Sequence, residues 1–380
     1  MSTEARLAEP APHRVSTLEL FFDLVFVFTI TQIARLVSTA RTAGDVGRAA
    51  LILTIGWWMY GGYAWLTNNV GTEGLVRRLQ LLTGMAAYFV MALAIPQASG
   101  RDGLAFGVAF FVVTSMHATL FYQSSPASAK AIREIAPYNF AAAILVIVAG
   151  LTDPSWRWLI WLSAVSAFLA ATFGRRERRF QVNPSHFAER HGLVIIVAIG
   201  ESVVALGTGV GAVPVGWPLI RVVMLGFALC AALWWTYFGG DDELGEKALS
   251  AAAPEQRLRL AILAYSYVHL GMLFGIVAIA AGLHDAIAAL GGAVSHFHAW
   301  TLAGGVSLYL ASDKMFRYML SIGTSRFRSA AAALSLASAP LGWLAGGAAE
   351  IGVLLGILVL MLAAESRLAR GTLEARVSAR

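Results

Sequence analysis

The sequence predicts an all-α fold: a polytopic integral membrane helix bundle with about 12 transmembrane helices in two parallel six-helix repeats. Three observations lead to this prediction. Hydrophobic residues fill 58% of the 380 positions and charged residues only 13%, with a mean hydropathy of +0.69. A soluble domain of this composition would expose more apolar surface than water tolerates. In addition, basic residues gather on one side of the predicted helices, and motifs of the first half recur in the second.

Apolar runs bounded by charge, glycine or proline predict the individual helices. In chain order these lie near 17–38, 48–67, 78–97, 103–124, 136–151, 155–174, 190–211, 217–239, 258–282, 297–318, 328–346 and 348–366. The fifth is short, and only Gly346 and Gly347 separate the last two. The first sixteen residues contain no apolar stretch typical of a cleaved signal peptide, so the first helix is expected to direct insertion. The single cysteine, Cys230, excludes a disulfide within the chain.

Lysines and arginines indicate the orientation. With twelve helices, 22 of the 28 basic residues fall on the side of the two termini. The positive-inside rule therefore predicts that both termini are cytoplasmic. Because the arginines follow the membrane ends and form no basic face, membrane lipids are expected as partners and nucleic acid is not. A homo-oligomer is left open.

Motifs of the first half recur in the second in the same order. The Trp57–Gly62 segment is echoed from Trp234, Arg78-Leu79-Gln80-Leu81 from Arg257, and Glu19 by Glu189, at offsets of 177, 179 and 170 residues. An even number of helices in each half gives parallel repeats. The predicted organisation is a cytoplasmic tail at 1–16, a first half at 17–174, a basic cytoplasmic linker at 175–189, a second half at 190–366 and a cytoplasmic tail at 367–380.

The seventh helix contains the first candidate site residue, Glu201. It lies halfway along the 20 residues from Gly192 to Gly211, which suffice to cross a ~30 Å hydrocarbon layer. An ionisable group at that depth costs at least ~2.5–3.5 kcal/mol, so it is expected to face protein or a wet cavity. Glu201 therefore suits a proton carrier, and equally a static hydrogen-bond donor. Gly200, Gly207 and Gly211 share a face of this helix and predict close approach of another helix.

The first helix contains three polar candidates, Glu19, Asp23 and Gln32. Glu19 and Asp23 are four residues apart and share a face, whereas Gln32 points the other way. Asp23 would lie about 10 Å inside the membrane and needs a cation or several donors there. It is either a structural carboxylate paired with an arginine or a proton or cation site.

Histidines and acidic residues supply further candidates. His117 and His269 lie inside helices and could relay protons or ligate haem, or they could be core histidines bonded to a carbonyl or tyrosine. The outer-loop group His284, Asp285, His296 and His298 is a weak metal candidate because its ligands are few and widely spaced. Asp241-Asp242-Glu243 is interpreted as a solvated helix cap. No catalytic residue, metal or cofactor is predicted.

Three segments carry a family resemblance. Leu18–Val27, with the later His186–Arg190 and Gly200–Ser202, resembles the hallmark segments of the bacterial low temperature requirement A (LtrA) family. The resemblance implies a multispanning bacterial inner-membrane protein. It also implies that Glu19, Asp23, Glu189, Arg190 and Glu201 are characteristic polar positions of the family, without assigning roles to them.

The function favoured by these features is proton-coupled secondary transport of an unknown small solute or ion. Two parallel halves and buried carboxylates on the first helix of each half favour it, and the sequence has no nucleotide-binding motif to supply energy. In this hypothesis Glu201 exchanges a proton and Asp23 helps to hold substrate or ion. One alternative is a membrane-embedded enzyme or a protein that binds haem, quinone or lipid. A channel or a sensor of membrane state is a further alternative.

Overall fold

The structure is a computed structural model that describes residues 15–69, 74–173, 182–211, 213–323 and 326–378. Within those ranges all regular structure is helical, which confirms the all-α prediction. The helices are α1 (Thr17–Ser38), α2 (Ala43–Asn69), α3 (Leu75–Ala94), α4 (Gly103–Ser124), α5 (Pro126–Leu151), α6 (Arg157–Phe173), α7 (Pro184–Val210), α8 (Trp217–Phe238), α9 (Asp241–Ala251), α10 (Pro254–Leu260), α11 (His269–Ala288), α12 (His296–Leu320), α13 (Arg326–Ala337), α14 (Pro340–Leu344) and α15 (Gly347–Ser378). A 3₁₀ turn, Ile95–Gln97, follows α3, and a π-helical segment, Ala261–Val268, joins α10 to α11.

The helical membrane bundle is confirmed. Eight helical stretches in the described residues are long and apolar enough to cross a membrane. They are α1, α3, α4, α5, α7, α8 with α9, α10 with α11, and α15. The other four predicted spans correspond to α2, α6, α12 and the pair α13 and α14, so each of the twelve predicted apolar runs is helical.

The two helices whose starts differ most from the prediction are α5 and α7. Helix α5 starts at Pro126, where the Ser125 hydroxyl accepts a hydrogen bond from the Ser128 backbone N–H at 3.1 Å. The charged residues of its first turns are typical of a loop, so the sequence predicts that the helix begins only at residue 136. Helix α7 starts at Pro184 and not at residue 190. Arg190 therefore lies inside a helix, and the arginines at 175–179 lie outside the described residues.

Three features of the second half were not predicted. Helix α9 is short and polar, so it gave no apolar run. The predicted eleventh helix is broken between Ala337 and Pro340, because Pro340 has no backbone N–H to continue the helical hydrogen bonds. The π-helical segment Ala261–Val268 interrupts the ninth predicted helix, and such insertions often occur at functional sites.

Helix packing follows a similar order in the two halves. Helix α1 packs on α3, and α7 packs on α11. The series α3, α4, α5, α6 packs pairwise in sequence, as does the series α11, α12, α13, α15; α2 packs on α6 and α8 on α15. This order agrees with a six-helix repeat, while the repeat itself stays a prediction.

Helices α1 and α7 run side by side in the same direction, because Glu19 contacts His186 near their starts and Thr31 contacts Glu201 further along. We call the side of the bundle on which α1 begins the proximal side and the other the distal side. A methyl group placed on Gly192 of α7 would lie 3.6 Å from the Phe238 ring. The end of α8 is therefore also on the proximal side.

The predicted glycine seam of α7 is wrong. Gly200 and Gly207 are exposed, and no atom of another helix lies within 4 Å of the position of a side-chain methyl at either residue. The close helix crossings lie elsewhere. At Gly275 of α11 and Gly305 of α12, a methyl group would approach the backbone oxygen of the opposite glycine to 2.8 Å. Glycine is required at this crossing because the two backbones leave no space for a side chain.

Candidate functional site

A buried ion pair joins α1 to α7 on the proximal side. Arg190 Nη1 donates to Asp23 Oδ2 at 2.8 Å and to the Glu19 backbone carbonyl at 3.0 Å. Arg190 is 1% exposed and Asp23 2%. Two ions this deep are tolerated only when they are paired and hydrogen-bonded. The geometry is that of the carboxylate paired with an arginine, one of the two interpretations of Asp23.

Two further side chains complete this group. Tyr60 of α2 donates from its hydroxyl to Asp23 Oδ1 at 2.7 Å, and the Arg190 guanidinium lies over the Tyr60 ring at 5.5 Å. His186 Nε2 lies 3.0 Å from Glu19 Oε1. Both oxygens of Asp23 are thereby bonded. We call Glu19, Asp23, Tyr60, His186 and Arg190 the α1–α7 cluster.

Neighbouring residues position Glu19 and Tyr60 of the α1–α7 cluster. Ser16 caps α1, and Glu19 Oε2 accepts from the Ser16 backbone N–H at 2.8 Å, a capping box that fixes the Glu19 side chain. Phe22 and Phe26 lie within 5.6 Å and 4.3 Å of the Tyr60 ring and hold α1 against α2. Glu189, in contrast, is exposed on α7 and lies outside the cluster.

Glu201 is buried against α1. Thr31 Oγ1 lies 2.6 Å from Glu201 Oε2 and 3.1 Å from the Val27 carbonyl oxygen. A hydroxyl has one proton, and the Val27 carbonyl can only accept. When Thr31 donates to Val27, the Glu201 contact requires a protonated Glu201 that donates to Thr31. When Glu201 is ionised, Thr31 must donate to it and releases Val27.

The remaining candidates are separate from these carboxylates. Gln32 is buried on α1. His117 Nε2 lies 3.0 Å from the Gly62 carbonyl oxygen. His269 Nε2 lies 3.0 Å from the Tyr237 hydroxyl, and its Nδ1 lies 3.0 Å from the Ala264 carbonyl. Because both nitrogens of His269 are bonded and the two histidines have different neighbours, the geometry is that of two core histidines and not of a haem-ligating pair.

Side chains at the distal ends of α1, α11 and α12 contact one another. His298 Nε2 lies 3.5 Å from Asp285 Oδ2, and Ser38 donates to Asp285 Oδ1 at 3.1 Å. His296 packs its ring on Trp343 at 4.4 Å. His298 and Asp285 thus lie close together, whereas the His296 ring packs on Trp343.

A cavity of about 170 Å³ lies between α2, α4, α5 and α6 on one side and the stretch from α10 to α11 on the other. This volume is similar to that of engineered cavities that hold one benzene-sized molecule. Its lining is mainly apolar and includes Trp57, Trp58, Trp65, His117, Asn139 and Tyr267. In terms of the predicted halves, the cavity lies at the boundary between them.

Trp57 connects this cavity to the α1–α7 cluster. Its indole N–H donates to the Ser266 carbonyl of the π-helical segment at 2.7 Å. The Trp57 ring also stacks on the Tyr60 ring, with ring centroids 5.3 Å apart. Since Tyr60 bonds Asp23, one unbroken set of contacts runs from the cavity wall to the buried ion pair.

Comparison with known proteins decides the family. The model of the bacterial low temperature requirement A protein (LtrA) family matches residues 14–364. The chain belongs to this family. An uncharacterized protein of Rhizobium meliloti (strain 1021) is similar to it, with 28% identity over 324 residues that cover 81% of this chain and 78% of the relative. The LtrA match includes both α1 and α7, whose polar residues meet in the α1–α7 cluster.

Two members of the α1–α7 cluster, and one histidine packed near it, were not predicted from the sequence. Tyr60 lies inside the Trp57–Gly62 motif, which was treated only as part of a repeat. His186 lies in the family segment but was not chosen as a candidate. His191 is 1% exposed, packs against Trp57 and Tyr265, and was also missed. Polar groups within otherwise apolar helices were the available signal for all three.

Proposed function

We propose that this protein is a secondary transporter that couples movement of a small solute or ion to protons. The observation that carries the proposal is the set of contacts from the cavity through Trp57 and Tyr60 to Asp23. A solute in the cavity would contact Trp57 directly. Any movement of Trp57 would disturb Tyr60, and hence the hydrogen bonding of the Asp23–Arg190 pair that joins α1 to α7.

Glu201 is the proposed proton carrier. Its contact with Thr31 has a good hydrogen-bonding arrangement in each protonation state, because the Thr31 hydroxyl can turn between Val27 and Glu201. Loss of the proton therefore breaks the Thr31–Val27 bond and leaves a charge between α1 and α7. The charge favours a more hydrated arrangement, since ions are costly in hydrocarbon. Proton exchange would then shift the packing of α1 against α7, and Tyr60 and Trp57 connect that interface to the cavity.

The proposal predicts that Glu201→Gln abolishes transport driven by a pH gradient in proteoliposomes while the protein stays folded. Glutamine keeps the shape and a hydrogen bond to Thr31 but cannot exchange a proton. Thr31→Val should slow transport by removing the hydroxyl, and Thr31→Ser should retain most of it. The readout is internal pH on addition of candidate solutes. Flux that persists in Glu201→Gln would refute the role of Glu201, and flux at channel-like rates without pH coupling would indicate a channel.

We also propose that the proximal side, and with it both termini, faces the cytoplasm, since basic residues are concentrated there in the sequence. Reporter domains fused after Val182 and after Val213 should report opposite compartments, because only α7 lies between them. The same compartment for both fusions would contradict the orientation.

A further inference from the structure

A second ion-paired cluster lies on the proximal side of the second half. Arg328 of α13 contacts three carboxylates. Its Nη1 binds Asp241 Oδ2 at 2.6 Å and also donates to Asp313, while Nε and Nη2 each donate to Glu365 at 3.1 Å. Arg317 Nη1 donates to Asp241 Oδ1 at 2.7 Å. We call Asp241, Asp313, Arg317, Arg328 and Glu365 the Arg328 cluster.

This finding corrects the interpretation of Asp241-Asp242-Glu243. Asp241 is 4% exposed and bonded to two arginines, so it is not a solvated cap. Only Glu243 fits that interpretation, since it is well exposed and pairs with Lys247 at 3.3 Å.

The Arg328 cluster has one carboxylate more than it has guanidinium groups. Among the described residues, the ion pairs of Asp241, Asp313 and Glu365 are with Arg317 and Arg328. Asp313 is fully buried at 0% exposure and Arg328 at 2%. An unbalanced charge at such a position is costly, so the group is expected to become neutral by taking up a proton or a cation.

The geometry selects Asp313 as the neutral group. Asp241 and Asp313 both bind through Oδ2 to the same nitrogen of Arg328, which places two carboxylates side by side. Two like charges on neighbouring carboxylates disfavour each other, so the second ionisation is the costlier one. Asp241 accepts from both arginines, whereas Asp313 accepts from one, and its Oδ1 is buried without a hydrogen-bond partner. The oxygen without a partner is the atom free to carry a proton.

We propose that Asp313 holds one exchangeable proton per chain and that the Arg328 cluster is a second proton site, distinct from Glu201. The proton balances the third carboxylate and keeps the proximal ends of α12, α13 and α15 together with α9. On deprotonation the extra charge repels Asp241 across the shared Arg328 nitrogen and loosens these ends. Protons can reach the site because Arg317 and Glu365 retain 11% and 14% side-chain exposure. The inference does not rest on the proposed transport function.

Other ionisable groups around Asp313 do not remove the imbalance. His269 is engaged through both ring nitrogens, and Lys247 pairs with Glu243. Titratable and charged groups on the elements packed against this end of α12, and on α12 itself, include Asp241, Asp242 and Glu246 of α9, Tyr237 of α8, Tyr265 of the π-helical segment, His269 of α11, Arg326 and Arg328 of α13, Glu365 of α15, and Tyr309, Lys314, Arg317 and Tyr318 of α12.

The test is infrared difference spectroscopy of the purified full-length protein across a pH titration. A protonated carboxylic acid absorbs apart from a carboxylate, so each exchangeable proton on a carboxyl gives its own band. We expect a band that is lost completely in Asp313→Asn and retained in Glu201→Gln. The matched control Glu243→Gln, an exposed acid beside the cluster, should retain it as well. A spectrum unchanged by Asp313→Asn would overturn the proposal.

Thermal unfolding is the second measurement. It tests whether the Asp313→Asn protein is folded and whether Asp313 binds a proton or a sodium ion. If Asp313 binds its proton more tightly in the folded state, the thermal midpoint of the wild type should fall as pH rises, and Asp313→Asn should lose this dependence. Asparagine is nearly isosteric and removes the repulsion, so this variant should be at least as stable as the wild type at high pH. Replacing choline by sodium in the buffer should leave the thermal midpoint of both proteins unchanged. A sodium-dependent stabilisation that disappears in Asp313→Asn would instead identify a sodium site and refute the proton assignment.

Discussion

Replacing Arg190 by methionine should destabilise the protein by about 3–5 kcal/mol, the usual effect of removing one partner from a buried ion pair. Methionine fills a similar volume, so the loss is electrostatic. Asp23 would remain 2% exposed and would lose its only guanidinium among the described residues. Glu19 would keep His186 but lose the arginine nearby. The measurement is the thermal midpoint in detergent, read by size-exclusion chromatography after heating.

Two variants make this result specific to Arg190. Arg221→Met makes the same chemical change at an exposed position of α8 and should alter stability by no more than about 0.5 kcal/mol. The double variant Asp23→Asn with Arg190→Met removes both charges and should recover a large part of the loss, because apolar or neutral replacements of a whole pair are often tolerated. An Arg190→Met protein as stable as the Arg221→Met protein would show that the pair does not hold α1 to α7.

Arg328→Met should have an effect of similar size, about 3–5 kcal/mol. Arg328 contacts Asp241, Asp313 and Glu365, and it also donates to the Thr236 carbonyl at 3.3 Å, so its removal leaves three carboxylates with Arg317 alone. Stability should be lost chiefly in the second half. Hydrogen exchange followed by mass spectrometry should therefore show faster exchange in α9, α12 and α13 than in α1 and α2.

Arg326 provides the matched control for Arg328. It lies two residues earlier on α13, is exposed, and rests its guanidinium on the Phe327 ring at 5.0 Å. Arg326→Met should leave the exchange pattern unchanged. Adding Asp313→Asn to Arg328→Met should restore part of the stability, because it removes a buried acid that lies beside Asp241 and that has lost the arginine both contacted. If the double variant is no more stable than Arg328→Met, then Asp313 and Arg328 are not energetically coupled.

Helix positions could be predicted from the sequence because long apolar runs report membrane burial directly. The same signal cannot detect α9, whose eleven residues are polar, or the π-helical segment, whose hydrogen-bond register differs from that of an α-helix without any change in hydrophobicity. It also misplaced the start of α5, where charged residues precede the apolar part of one continuous helix.

The site was partly predictable for a related reason. Asp23, Arg190 and Glu201 are conspicuous as polar residues in apolar helices, so each could be chosen alone. Their partners depend on how α1 packs on α7, with 167 residues between Asp23 and Arg190 and 170 between Thr31 and Glu201. Asp241 was misinterpreted because a local pattern of acids after two glycines is typical of a cap. Its arginines follow 76 and 87 residues later.

The π-helical segment Ala261–Val268 sets the angular register of α11 relative to α10. A π-turn holds about one residue more than an α-turn, so its conversion to regular α-helix would rotate all that follows by about 100°. Residues of α11 that now face α7 and α12 would then turn toward different neighbours. Trp57 binds the Ser266 carbonyl within this segment, so the cavity wall touches the point at which such a rotation would begin.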